Sequence, residues 1–440
     1  MQAGKTLLQS IFWRGLYYVS AFIINILIAR HFEASVSGSV YYLSSIYAFA
    51  VLLSSLSIES GIIYFTAKGD ISVNRLFNFS IAWSLFIGLL TFVFVNYILK
   101  EIVDGISSTL LVISAVMYIS GNLLITYCAG IFYARNDFML PNVIIITGTI
   151  ILIILIPYGG KSIVYSVTGT NYFYIYFTTF FVQGICMAIA IKRKYLKKIR
   201  IQFLNFVEFR LLFRYCALAF LGNIVFFLLY RIDYFFVERY TTAVELGNYI
   251  QVSKLVHLFF ILPTILATVV FPFTASGQKA EIDKFLTLLS RALFLLYIFA
   301  CLILGLIGSW LFPFVFGKSF TGMYQPFLFL IPGILSLSGI FTLTAYYAGI
   351  NRIKVNITGS LYALMVILAG NIIFVPKYGI SAAALVSSVG YVVYQIYIIM
   401  IFKKEYPGSA LDFFIFRSAD WIKIKNSILV SINSKNESQQ

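Results

Sequence analysis

Stretches of about twenty apolar residues recur about twelve times along the 440-residue chain, and no part of it resembles a soluble domain. A bilayer's hydrocarbon core is about 30 Å thick, so a helix needs about 20 residues to cross it, and lipid cannot satisfy an open backbone. The chain is therefore predicted to be an all-α polytopic membrane protein. The predicted spans are 11–29, 40–66, 76–99, 108–133, 141–157, 172–191, 212–237, 247–274, 285–314, 323–348, 355–375 and 381–402.

Composition supports this fold class. Hydrophobic residues make up 61% of the chain, charged residues 11%, and the mean hydropathy is +0.93, far outside the range of soluble proteins. The four cysteines lie singly within predicted spans, without the spacing of metal ligands or redox pairs. A phosphate-binding loop is also missing, because Leu155 and Phe312 stand where its first glycine belongs. We therefore expect no cofactor, no metal and no enzymatic activity.

The basic residues indicate which side of the membrane each loop faces. With twelve spans and a cytoplasmic N-terminus, 24 of the 32 Lys and Arg residues fall on the cytoplasmic side. The other eight are Arg30, Lys100, Lys161, Arg231, Arg239, Lys254, Lys318 and Lys377. Because cytoplasmic loops carry an excess of Lys and Arg, both termini are predicted to be cytoplasmic. The basic segments suit the anionic headgroups of membrane lipids, and nucleic acid is not an expected partner.

Two internal matches predict that the chain arose by duplication, although chance similarity between apolar segments is the alternative. Residues 28–45 align with 237–254 at an offset of 209, and residues 133–142 align with 347–356 at an offset of 214. The first match pairs Arg30/Arg239, Ala34/Ala243, Gly38/Gly247 and Ser44/Ser253. The predicted divisions are an N-terminal six-helix lobe (1–191), a basic cytoplasmic linker (192–211), a C-terminal six-helix lobe (212–403) and a cytoplasmic tail (404–440).

A charged residue within a predicted span costs several kcal/mol unless it faces a cavity or a partner, and five such residues are the candidates for a functional site. They are Arg14, Glu59, Arg231, Asp233 and Lys254. Arg231 and Asp233 are two residues apart, so they point to different sides of their helix. Counting inward from residues 238 and 247 puts Arg231 and Lys254 about seven residues deep, or roughly 10 Å from the extracytoplasmic helix ends.

Two interpretations of these charges are open. In the first, Arg14, Arg231 and Lys254 bind an anionic substrate group, while Asp233 or Glu59 takes up a driving cation, a proton or a sodium ion. In the second, Asp233 and Lys254 form an ion pair that only joins two helices. We favour the first, because transporters built from two such repeats carry substrate between their lobes.

Several motifs resemble one known family. They are Arg30 followed eight residues later by Gly38, RIDYFFVERYTTAVELGNY (231–249), FGKSFTGMYQPFLFLIPG (316–333), YYAGINRIKVNI (346–357) and VPKYGISAAALVSS (375–388). The chain resembles the polysaccharide-biosynthesis branch of the MATE-like multidrug/oligosaccharidyl-lipid/polysaccharide (MOP) exporter superfamily, which includes Wzx-type O-antigen flippases. The first half departs from the pattern at 156–170, which lacks a clean counterpart of the KYGISAAA stretch.

The resemblance implies a two-lobed flippase of the bacterial cytoplasmic (inner) membrane. Its substrate would be an undecaprenyl-pyrophosphate-linked oligosaccharide, such as the repeat unit of O-antigen or lipopolysaccharide, and its transport would be coupled to an ion gradient. Polysaccharide polymerase and chain-length proteins are the protein partners it implies. The rival functions are a membrane polymerase or ligase of the same lipid-linked sugars and a MATE-type exporter of small molecules or drugs.

Overall fold

All regular structure in the described part of the chain is helical. The computed structural model describes residues 2–99, 108–158, 172–196, 202–275, 282–406 and 408–415. Its α-helices are α1 (Gln2–Ser55), α2 (Ile58–Lys68), α3 (Val73–Phe94), α4 (Ser108–Ala134), α5 (Met139–Leu155), α6 (Tyr172–Tyr195), α7 (Phe206–Tyr240), α8 (Ala243–Leu258), α9 (Ile261–Ala275), α10 (Ile282–Phe316), α11 (Tyr324–Gly349) and α12 (Ile353–Glu405). Shorter elements are a π-helical turn (Val95–Leu99) and 3-10 segments at Ile156–Tyr158, Lys318–Met323 and Ala410–Phe413.

Two helices are too long for a single crossing, and each is broken. α1 has 54 residues and α12 has 53, which at the helical rise gives about 80 Å against a hydrocarbon core of about 30 Å. The backbone leaves the helical region at Glu33 (φ 62°, ψ 175°) and at Gly379 (φ 58°, ψ −143°). Both breaks fall between predicted spans, so each helix supplies two crossings.

Two other crossings are built from shorter pieces. The second half of α1 continues into α2 through Leu56 (φ 50°) and Ser57 (φ 56°), and α8 continues into α9 through Phe259 and Phe260. Nine helical segments of the described chain are long and apolar enough to span a membrane, and two of them hold two crossings each. The α8 and α9 pair makes twelve, which confirms the predicted all-α membrane fold.

The helices form two compact units. The first comprises Met1–Ile250 and Phe312–Gly322, and within it α7 packs against α1 and α2. The second comprises Gln251–Leu311 and Met323–Gln440, and within it α11 packs against α9 and α12. The predicted lobe boundary at 192–211 stays a prediction. Most of the 156–170 motif and of the predicted tail lies outside the described residues.

Reciprocal contacts between α1 and α8 follow the predicted internal repeat. A Cβ on Gly38 would fall 2.5 Å from the Gly247 Cα and 3.2 Å from the Ala243 carbonyl oxygen. A Cβ on Gly247 would in turn overlap the Ala34 carbonyl group. At the offset of 209, Ala34 is equivalent to Ala243 and Gly38 to Gly247. Gly38 contacts Ala243, and its equivalent Gly247 contacts Ala34, which is the equivalent of Ala243. Such reciprocal contacts are the pattern that a two-fold axis produces.

The break at Glu33 frees the Ala34 N–H, and Ala34 is fully buried, so this group needs a partner within the protein. The Ala34 N–H donates to Ser319 Oγ at 3.0 Å, and Asn248 Nδ2 donates to the Ser319 carbonyl at 3.0 Å. The sequence Gly317-Lys318-Ser319, which ends like a nucleotide-binding loop, thus caps the restarted half of α1.

Small residues allow α4 and α6 to approach closely in the first unit. A Cβ on Gly121 would fall 2.6 Å from the Phe180 carbonyl carbon and 2.7 Å from the Phe181 Cα. On the facing helix, a Cβ on Gly184 would fall 2.8 Å from the Leu124 Cβ. Such contacts are typical of membrane helices, where close backbone packing replaces the hydrophobic effect as the source of association.

We expect Gly121→Ala to destabilise the detergent-solubilised protein by about 1–3 kcal/mol, because the added methyl group pushes α4 away from α6. Gly222→Ala on α7 is the matched control, since no heavy atom lies within 4 Å of the Cβ it would add. Alanine also favours the helix over glycine, so this control should be neutral or stabilising. Thermal unfolding followed by tryptophan fluorescence compares the two. Equal effects would contradict the packing described.

Candidate functional site

Arg231, a half-buried cation on α7, is the centre of the candidate site. Its Nη1 donates to Ser45 Oγ on α1 at 3.0 Å, and its guanidinium lies 5.4 Å from the centroid of the Phe227 ring. Ser45 itself donates to the Tyr41 carbonyl at 2.9 Å. No carboxylate of the described residues pairs with Arg231. A guanidinium has five N–H donors, so a single hydroxyl partner leaves it able to bind an anion.

Tyr118 of α4 lies near this cation, and it belongs to a cluster of aromatic residues from α1, α4 and α6. Tyr118 is within electrostatic range of Arg231, and its ring packs against Phe180 (4.7 Å) and Tyr47 (5.8 Å). Tyr176 packs against Phe180 at 5.5 Å. Tyr118 and Tyr176 are half-buried, so they present both apolar ring faces and hydroxyl groups. Together with Arg231 they suit an amphipathic anion.

Asp233 is buried and has a different neighbour. Only 4% of its surface is exposed, and its Oδ2 accepts a short hydrogen bond from the Tyr249 hydroxyl on α8. Tyr249 is itself fully buried. Burying a carboxylate is costly unless it is hydrogen-bonded, so this contact helps to hold Asp233 in place. Arg231 and Asp233 therefore take different partners on different helices.

Glu59 lies in α2, well separated from Arg231. α2 packs on α7 where Gly61 approaches Leu212 and Cys216, and Cys216 is fifteen helical residues, or about 22 Å, from Arg231. The Oε2 atom of Glu59 is buried and has no hydrogen-bond partner among the described residues. Such an oxygen is stabilised by a proton or by a bound cation.

Arg14 is exposed and lies at the other end of α4 from Arg231. Its guanidinium lies 5.1 Å from the centroid of Tyr133 and 6.0 Å from that of Phe138. Tyr133 is fifteen residues from Tyr118 on α4, which corresponds to about 22 Å. The structure therefore does not bring Arg14 and Arg231 together, and substrate binding by either residue stays a prediction.

Lys254 is half-buried on α8, and its depth differs from the predicted one. The Glu245 N–H donates to Thr242 Oγ1 at 3.3 Å, and the Thr242 N–H donates to Glu245 Oε2 at 3.0 Å. This capping box starts α8 earlier than predicted and shortens the turn after α7 to two residues. Arg231 and Lys254 are thus about 14 and 16 Å from their helix ends, and the estimate of 10 Å was wrong.

Sequence reasoning did not identify Ser45 as a partner of Arg231 or Tyr249 as a partner of Asp233. Nothing in the sequence links Ser45 to Arg231, because their contact joins helices that are distant along the chain. Tyr249 was recoverable, since Asp233 and Tyr249 lie eight residues on either side of Thr241. Residues equally distant from a tight turn lie at the same level of two antiparallel helices.

Twelve crossings with charges held inside them define a helical membrane protein. The structure is similar to the lipid II flippase MurJ in an inward closed conformation, with a TM-score of 0.68 and 17% identity over 97% of this chain and 90% of that one. It is also similar to an inward-facing multidrug resistance MATE transporter of the MOP superfamily, with a TM-score of 0.67 and 13% identity over 89% and 96%. A MOP superfamily transporter from Pyrococcus furiosus gives a TM-score of 0.60 and 13% identity over 91% and 93%. At these identities the likeness establishes the fold alone.

Sequence comparison identifies the family. A family model described as polysaccharide biosynthesis protein matches residues 18–325. The chain belongs to this family, which confirms the resemblance predicted from its motifs. Comparison with curated protein sequences gave no match.

We expect Tyr249→Phe to destabilise the protein by about 1–3 kcal/mol, because the buried Asp233 carboxylate loses a donor. Tyr240→Phe is the control, since Tyr240 is 47% exposed at the end of α7. Thermal unfolding of Tyr249→Phe, Asp233→Ala and the double variant completes the test. The two effects should fall short of additivity, because both substitutions remove the same hydrogen bond. Strict additivity would argue against that bond.

Proposed function

We propose that the protein is a flippase that moves an undecaprenyl-pyrophosphate-linked oligosaccharide from the cytoplasmic to the outer leaflet of the bacterial cytoplasmic membrane. The observation that carries this proposal is Arg231, a cation held by a neutral hydroxyl inside a membrane protein of a polysaccharide biosynthesis family. A cation at such a depth is costly and marks an anionic substrate. The protein acts as a transporter and not as an enzyme.

The pyrophosphate meets the cations one after another. Arg14 lies near the end of α4, which is cytoplasmic in the predicted topology, and it meets the headgroup first. Arg231 on α7 and Lys254 on α8, which lie at similar depths from their helix ends, bind the pyrophosphate further along the path. The half-buried rings of Tyr118 and Tyr176 lie beside the sugars. Tyr133, which contacts Arg14, lies about 22 Å along α4 from Tyr118, which lies near Arg231, and this separation supports sequential contacts over simultaneous ones.

Alternating access requires the bend of α1 near Glu33 to separate from the start of α8. Gly38 and Gly247 are in contact in this region, which the predicted topology assigns to the extracytoplasmic side. Because both residues are glycines, the two backbones meet directly, and alternating access requires this contact to be broken and made again. Contact of the two glycines closes the outer side while the headgroup binds, and their separation releases it to the outer leaflet.

A driving cation, either a proton or a sodium ion, binds Asp233 or Glu59. Asp233 is favoured because it lies two residues from Arg231, so a change in its charge alters the field at the pyrophosphate. Glu59, with its unpartnered buried oxygen, is the second candidate. Ion binding that favours one conformation links the gradient to substrate release.

We expect Arg231→Ala to lower surface glycan by about tenfold or more while the protein still reaches the membrane, because a charge-assisted contact to the substrate is lost. Arg231→Lys should restore part of the export, since charge matters more here than the fork geometry of arginine. Arg239→Ala, which removes an exposed cation near the end of the same helix, is the control. Normal surface glycan in Arg231→Ala would remove this residue from the site.

Both termini and the 192–210 connector are expected to be cytoplasmic. Single-cysteine labelling in intact cells tests this, on a background without the native cysteines, of which Cys186 is exposed. A cysteine at Lys197 should resist an impermeant reagent, because the segment faces the cytoplasm. A cysteine at Arg239 should react, because the turn between α7 and α8 faces outward. The reverse pattern would contradict the topology.

Asp233→Asn should abolish the response of flipping to an imposed proton or sodium gradient, because the amide is nearly isosteric but carries no charge. Tyr249→Phe keeps the carboxylate and should remain gradient-sensitive, which separates ion binding from helix packing. Flipping is measured in proteoliposomes with and without the gradient. If Asp233→Asn still responds fully, Asp233 is only a structural residue and the coupling role passes to Glu59 or to no carboxylate.

A further inference from the structure

A cavity of about 360 Å³ lies between the end of α2 and the start of α7, away from Arg231. Its volume is within the range of small-molecule sites. The residues that line it are Tyr64, Phe65, Lys68, Asp70, Leu211, Arg214 and Tyr215. Neither the proposed substrate path nor the proposed coupling sites use these residues.

The charges in this cavity are net positive. Lys68 Nζ lies 2.8 Å from Asp70 Oδ2, and both side chains are exposed. Arg214 is also exposed, and it has no ion pair or hydrogen bond with any described residue. The Lys68–Asp70 pair neutralises itself, so Arg214 supplies a free positive charge to an incoming anion.

The other side of the cavity is aromatic and apolar. The Tyr64 and Tyr215 rings stack with centroids 4.6 Å apart and an interplanar angle of 20°. Tyr64, Tyr215 and Leu211 are exposed by 39%, 45% and 46%, so their apolar surfaces face outward. Exposed tyrosines beside Lys and Arg are the composition found where a membrane protein crosses the lipid headgroups.

We propose that this cavity binds the phosphate of an anionic phospholipid of the surrounding membrane. Arg214 and Lys68 contact the phosphate, and the Tyr64–Tyr215 stack and Leu211 lie beside the glycerol and the acyl chains. The lipid thereby links the last turn of α2 to α7. α2 begins after the left-handed residues 56–57, so a ligand at its far end adds a contact between this short helix and α7.

Binding of dioleoylphosphatidylglycerol to the purified full-length protein in neutral detergent tests the proposal, by native mass spectrometry and by thermal shift. We expect this lipid to bind and to raise the unfolding temperature, and dioleoylphosphatidylcholine to do neither at the same concentration. Lys68→Gln with Arg214→Gln should weaken binding by about fivefold per lost cation, or about 25-fold together. Arg210→Gln, one turn from Arg214 and outside the cavity, is the matched control and should bind as the parent protein does.

Asp70→Asn supplies a test with the opposite sign and guards against misfolding of the double variant. It removes the cavity's carboxylate and releases Lys68, so binding of phosphatidylglycerol should tighten, by about fivefold for the one unit of charge gained.

Equal binding of phosphatidylcholine, or unchanged binding in both cavity variants, would overturn the proposal. Inorganic phosphate that competes as well as the lipid would identify a soluble-anion site instead. Preferential binding of undecaprenyl phosphate would identify a substrate entrance. The flippase proposal survives any of these results, because it does not use these residues.

Discussion

Lipid offers no partner to an open backbone group, and the whole structure depends on this constraint. It accounts for the helical fold, and backbone groups buried in protein at the helix breaks need partners in the same way. At the bend of α1 near Glu33, between two crossings, the buried Ala34 N–H donates to Ser319 Oγ. Where the second crossing is interrupted at Leu56 and Ser57, the buried Ser57 N–H donates to Ser55 Oγ at 3.2 Å. Short polar side chains thus make breaks possible, and the breaks allow glycines of α1 and α8 to meet.

Lipid is also a poor environment for a charge, so the partner of each cation is informative. Two cations near helix ends are paired with carboxylates, Arg75 with Glu208 and Lys194 with Asp137, both at 2.6 Å. Arg231 differs, because it donates to the neutral hydroxyl of Ser45 and no carboxylate of the described residues pairs with it. Hydroxyl partners hold a cation in position without neutralising it, as the proposed binding of an anion requires. This difference separates Arg231 from cations that only stabilise helix ends.

Hydropathy predicted the crossings well because each needs its own apolar stretch, and the breaks at Glu33 and Gly379 lie in the gaps between such stretches. Helix ends were less predictable, since the capping box of Thr242 and Glu245 extends α8 beyond its apolar region. That error shifted the depths of Arg231 and Lys254. The contacts of Ser45 with Arg231 and of Arg14 with Tyr133 depend on tertiary packing, which a single sequence does not specify.

The central claim is that substrate crosses when the bend of α1 near Glu33 separates from the start of α8. Cysteines at Ala34 and Ala243, joined by a short cleavable cross-linker in the cysteine-free protein, would hold these two regions together. Flipping of a fluorescent undecaprenyl-pyrophosphate-linked oligosaccharide in proteoliposomes is then measured before and after cleavage. The account predicts that cross-linking stops flipping and that cleavage restores it. Undiminished flipping by fully cross-linked protein would contradict it.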